Sequence, residues 1–173
     1  MKKLNTIVNK IPQALSIYLN QLVYDQKRLG KDITVLSLGE AYFDIPNFNF
    51  TNIDMEKGYH YSDSQGIPAL RTKIGNFYKL HYGVKVDPEK EIIISTGSKI
   101  LTYFAIKSVI NQNDEVVVVE PYWLSYTEQI KLSGGKIRTI PFGTEISNYK
   151  KYFNKKTKAI ILNNPNNPSG EKL

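Results

Sequence analysis

Residues 114–120 read Asp-Glu-Val-Val-Val-Val-Glu, four consecutive valines between acidic residues. A strand with one wet face alternates apolar and polar residues, whereas a run without alternation suits a strand covered on both faces, as in parallel sheets flanked by helices. This feature constrains the rest of the chain, because parallel strands are joined by crossovers that are usually helical. The flanking sequence supplies such crossovers. A short β-branched run at 91–95 (EIIIS) precedes a helical stretch over 100–110, and a helix over about 123–132 with a Gly134-Gly135 stop precedes a strand at 136–140. A helix over about 146–153 then leads to a strand at 159–162. Alternation of this kind predicts an α/β fold with a mainly parallel sheet covered by helices.

Upstream the period is helical. Pro68 suits the first turn of a helix because its φ is already fixed, and Leu70, Ile74, Phe77, Tyr78 and His81 follow at helical spacing as far as Gly83. Leu15, Tyr18, Leu19, Leu22 and Val23 give a second helix within 11–29, ended by Gly30. Residues 34–38 alternate, and 38–50 (LGEAYFDIPNFNF) have the Pro, Asn and aromatic content of an irregular connection. A domain boundary is expected near 40–50, with an N-terminal helical arm before it. No repeat or low-complexity tract is present.

Composition excludes several classes. The 23 Lys+Arg against 16 Asp+Glu give a net charge of +7, but the basic residues are spread from Lys2 to Lys172. The densest run, Lys150 to Lys158, alternates with the core-like Tyr152 and Phe153, so a solvated surface is expected and not a nucleic-acid face. With no cysteine there is no disulfide framework, and His60 and His81 are too few to suggest a metal site. No apolar run reaches membrane-spanning length, and the first residues lack the short apolar core of a secretory signal, so a cytoplasmic protein is expected.

In open α/β sheets, ligands bind beyond the carboxyl ends of the strands. The first such end is Ser95-Thr96-Gly97-Ser98-Lys99. A glycine turn running into a helix N-terminus offers free N–H groups and a partial positive charge, and a serine hydroxyl adds a donor. That is a phosphate site, or else a plain cap in which Ser98 satisfies its own helix. It is neither a Walker loop nor a G-x-G-x-x-G fingerprint. The second end, Glu120-Pro121-Tyr122-Trp123, carries the sole tryptophan, either a packing residue or a cover for a flat heterocycle. The third is Asn163-Asn164-Pro165-Asn166-Asn167-Pro168-Ser169-Gly170, where two prolines exclude a regular element and hold asparagine amides in a rigid loop.

Taken in order, YSDSQGIPALR, STGSK, DEVVVVEPYWLSY, GGK and TKAIILNNPNNPSG resemble the first half of the class I/II aminotransferases, the fold-type I pyridoxal-phosphate enzymes, over roughly residues 35–173. The loop at 163–170 is similar to the family's N-P-x-N-P-[TS]-G element. The resemblance implies residues 1–45 as an N-terminal arm with part of the small domain, and 46–173 as an incomplete cofactor-binding large domain. It further implies that Gly97, Ser98 and Lys99 hold the phosphate of pyridoxal 5'-phosphate, that Trp123 stacks on its ring and that Asn167 donates to its phenolic oxygen. Tyr61 would reach the phosphate of a partner subunit's cofactor in a homodimer, and Gly39 would sit by the substrate carboxylate. The substrates implied are an α-amino acid and a 2-oxo acid in amino-acid metabolism, with no nucleic acid and no membrane.

Two departures accompany the resemblance. The family often has G-E-P-D-F where this chain has Gly39-Glu40-Ala41-Tyr42-Phe43. The family's Schiff-base lysine, the aspartate facing its pyridine nitrogen and its carboxylate-binding arginine lie beyond the NPSG loop, so no catalytic residue is expected within these 173 residues. Lys99, at the phosphate end, does not substitute by position. The expectation is therefore an N-terminal fragment inactive by itself, completed by a C-terminal half; the alternative is a non-catalytic truncated relative that binds a phosphate-bearing ligand or serves in dimerisation.

Overall fold

A computed structural model describes residues 5–172 except positions 8, 10, 37, 38, 40–42, 48, 50–53 and 59. The chain forms two compact units, Met1–Tyr59 and His60–Leu173.

The first unit carries helix α1, Leu15–Arg28. It ends where the sequence places a glycine: Gly30 has φ +75°, and the N–H groups of Leu29 and Gly30 donate to Gln26 and Lys27 carbonyls. Lys27 and Arg28 lie in the last turn, where the helix dipole favours cations. No α1 side chain is buried. A short helix α2, Met55–Gly58, was not expected from the sequence. Residues 31–36 have no regular structure, and positions 40–42 of the Gly39–Phe43 departure lie outside the described residues.

The second unit opens with α3, Pro68–Tyr82, framed by Pro68 in the first turn and by Gly83 at φ +67°. Arg71, 1% exposed, is the anchor of this region. Its guanidinium donates to the Gly66 carbonyl (2.8 Å) and pairs with Glu89 (3.1 Å) and Asp63 (3.4 Å). The Gln65 backbone N–H and then the Arg71 charge hold the Asp63 carboxyl below its usual range. The loop at 63–66 is thus tied to the segment at 87–94, where the Gln65 amide also donates to the Glu89 and Ile92 carbonyls and its carbonyl accepts from Ile94 N–H. Gly66, at φ +106°, lies so close to Ile94 that a Cβ would stand 2.6 Å from that side chain.

The expected strand at 91–95 does not form. The segment has no regular structure and no ladder partner among the described residues, and Ile93 is 62% exposed. A strand exists only through its neighbours, and among the described residues none pairs with it; the Ile92 carbonyl and the Ile94 N–H bond Gln65 instead.

From here α4 (Ser98–Val109), β1 (Glu115–Val119), α5 (Ser125–Leu132), β2 (Lys136–Ile140) and β3 (Thr157–Ile161) alternate. The sheet is parallel in the order β2-β1-β3, with Val117 beside Arg138 and Ile160. Val116, Val117 and Val118 are at most 1% exposed, as a central strand covered on both faces requires. On one face Val116 and Val118 pack with Ile106 and Ile110 at the end of α4 and Ile130 of α5. On the other, Val117 and Ile140 pack against Tyr149. The helix expected over about 146–153 forms over Ile146–Tyr152 and is of the 3₁₀ type. With three residues per turn, Tyr149 and Tyr152 share the face that meets the sheet.

Candidate functional site

Two pairs of the segments singled out above meet: the Gly97–Lys99 turn with Trp123, and the loop at 163–170 with Pro121. Gly97 is the N-cap of α4 at φ +100°, ψ 148°, a conformation essentially reserved for glycine. No side chain caps this helix, so the Ser98 hydroxyl does not satisfy its own N-terminus, and residues 95–100 are exposed. A Cβ on Gly97 would meet nothing within 4 Å. The turn therefore needs glycine for its backbone angles and not for lack of space, and the uncapped N–H groups offer an open donor set for an anion.

Trp123 stands beside this turn, just ahead of α5. The Lys99 ammonium lies 5.1 Å from the centre of its ring, a cation–π contact, and Tyr126 meets it edge-on at 5.3 Å. Burial pushes the Tyr126 phenol above its ordinary pKa, so it remains neutral. One face of Trp123 is thus covered by the Lys99 side chain.

The loop at 163–170 is organised by Asn166, which sequence reasoning passed over for Asn167. Its amide donates to the Pro121 carbonyl (3.0 Å), linking this loop to the end of β1, and its Oδ1 accepts from the Ser169 N–H and hydroxyl. Its backbone bonds Gly170 and Glu171. The Glu120–Pro121, Asn164–Pro165 and Asn167–Pro168 bonds are all cis. Asn167 is exposed, and its amide bonds no described residue.

A cavity beside this loop is lined by Glu120, Phe142, Thr144, Tyr149, Asn166 and Glu171 among others; Gly97, Lys99 and Trp123 lie outside it. Tyr61 is fully exposed and Gly39 belongs to the first unit. Among the described residues no cluster of His, Cys, Asp or Glu could hold a metal, and no helix is long and apolar enough to cross a membrane.

Comparison with known proteins places the fold. The chain is 32% identical to an asparagine–oxo-acid transaminase of Streptococcus mutans, over 98% of this chain and 46% of the relative. It is 29% identical to an aspartate/prephenate aminotransferase of Thermus thermophilus at the same coverage. Among solved structures, Thermus thermophilus aspartate aminotransferase with maleate superposes with a TM-score of 0.85 at 26% identity, covering 97% of this chain and 46% of that one. A Methanococcus jannaschii protein described as similar in its active site to kynurenine aminotransferases gives 0.84 at 31% identity, with 99% and 46% covered. The chain spans just under half the length of these relatives. Residues 31–173 match the family described as aminotransferase class I and II, and the chain belongs to that family.

Proposed function

We propose that this chain supplies one part of a pyridoxal-phosphate-dependent aminotransferase site, serving transfer of an amino group between an α-amino acid and a 2-oxo acid. The observation that carries the reading is an uncapped, open helix N-terminus after Gly97 set beside the Trp123 ring, in a chain of this family.

The residues fit the cofactor at its phosphate end. The N–H groups at the start of α4 and the helix dipole favour a dianion, the Ser98 hydroxyl adds a donor, and Lys99 can leave the Trp123 face for a phosphate oxygen. Trp123 then lies against the ring and keeps water from one side of it. The exposed Asn167 amide donates to the ring's phenolic oxygen and holds it ionised, while Asn166 keeps the loop against Pro121. When bound, the cofactor supplies an electron sink for charge developing at the substrate α-carbon. Tyr61 reaches a second subunit's cofactor phosphate in a cytoplasmic homodimer, and Gly39 leaves room beside the substrate carboxylate. Residues 1–45 serve as the arm and part of the small domain, and 46–173 as the first half of the large domain. By family order, the lysine that moves the proton and the acid facing the ring nitrogen follow the loop at 163–170, so turnover needs residues beyond these.

The test is a titration of the 173-residue chain with pyridoxal 5'-phosphate, followed by Trp123 fluorescence, alongside a coupled transamination assay with several amino donors. We expect saturable quenching, no turnover by the chain alone, and turnover when a polypeptide bearing the family's second half is added. Turnover by the chain alone, or no quenching and no complementation, refutes the reading.

A further inference from the structure

We infer that Gln129, on α5, is a positioning residue that fixes the first turn of α4 for anion binding; the inference rests on the reading of that turn as the phosphate site. Gln129 is 7% exposed, and its Nε2 donates to the Lys99 carbonyl at 2.9 Å across 30 residues of chain. Its Oε1 is buried with no hydrogen-bond partner among the described residues. An amide with an orphaned acceptor packs less favourably than an apolar side chain of the same length, because the acceptor has lost water and gained nothing. What the amide adds at this position is its donor, and the donor is spent on the turn that follows Gly97.

The contact acts together with Trp123. Lys99 is held at its carbonyl by Gln129 and at its ammonium by Trp123, six residues earlier in the same segment. When the ammonium leaves the ring for a ligand, the Gln129 bond still ties the backbone of the turn to α5. The N–H groups that would face the phosphate keep their direction relative to the Trp123 ring, so binding need not order them. The far end of α4 has a separate link to α5, from Lys107 Nζ to the Ser133 carbonyl at 3.4 Å, which does not touch the turn.

Gln129→Met and, as a control, Lys107→Met separate positioning from general packing. In Gln129→Met the thermal midpoint should change little, since removal of the orphaned acceptor offsets loss of the donor to the Lys99 carbonyl. Amide hydrogen exchange at Thr102 and Tyr103, in the first turns of α4, should quicken about two- to tenfold, and the dissociation constants for inorganic phosphate and for pyridoxal 5'-phosphate should rise by a similar factor. Lys107→Met should change neither quantity. Unchanged exchange in Gln129→Met, unchanged affinity where the parent chain binds, or an equal loss in Lys107→Met overturns the inference. A parent chain that binds neither probe refutes the phosphate reading instead, and the exchange measurement still decides whether Gln129 holds the turn.

Discussion

Replacing Gly97 by alanine isolates the backbone contribution to the anion turn. A Cβ there meets nothing within 4 Å, so no steric clash enters and the whole effect is the strain of φ +100°, ψ 148° in a residue that avoids it. Conformations of this kind cost about 1–3 kcal/mol. If the turn keeps its shape, the loss appears in the free energy of unfolding. If the turn relaxes, it appears as about 5- to 150-fold weaker binding of pyridoxal 5'-phosphate. The two losses together should amount to about 1–3 kcal/mol. Urea unfolding followed by circular dichroism gives the first, and Trp123 fluorescence titration gives the second. Gly83→Ala is the control: φ is +67°, the Cβ again meets open space, and the position caps α3 away from the turn, so about 1 kcal/mol of stability should go with no change in binding. Full stability combined with unaltered affinity in Gly97→Ala would refute the reasoning.

Asn166→Ala removes the donor to the Pro121 carbonyl and the acceptor for Ser169, which should cost about 1–3 kcal/mol and speed proteolytic cleavage within 163–170, whereas Asn167→Ala should leave cleavage unchanged. The Glu115 carboxyl is held below its ordinary value of about 4.5, first by the Arg138 guanidinium at 2.7 Å and then by the Asn154 amide. A carboxyl with a depressed folded pKa contributes stability that is present above its unfolded pKa and is lost as pH falls through the folded one. Glu115→Gln should therefore flatten the decline in urea midpoint below about pH 4.5, and an identical acid slope in both proteins would contradict the assignment.

The elements that the sequence determined by itself are those whose cause is local. Four valines without alternation specify a strand covered on both faces, and β2 falls on residues 136–140 as its pattern and the preceding glycines require. Pro68 and Gly83 bracket α3 because one fixes φ for the first turn and the other accepts the left-handed end. The candidate site motifs are local in the same way: a glycine turn before a helix, a tryptophan after a strand and an asparagine loop with two prolines each lie within one short segment. Tertiary structure decided everything that depends on a distant partner. EIIIS has strand composition, yet a strand needs a neighbour, and here the Ile92 carbonyl and the Ile94 N–H bond Gln65. Asn166 and Asn167 are adjacent and identical, yet it is the Asn166 amide that meets the Pro121 carbonyl, 45 residues away along the chain. Likewise nothing in the sequence near Gln129 or Arg71 marks either for burial, because the Lys99 carbonyl and the Asp63 and Glu89 carboxylates that hold them reach them only through the fold.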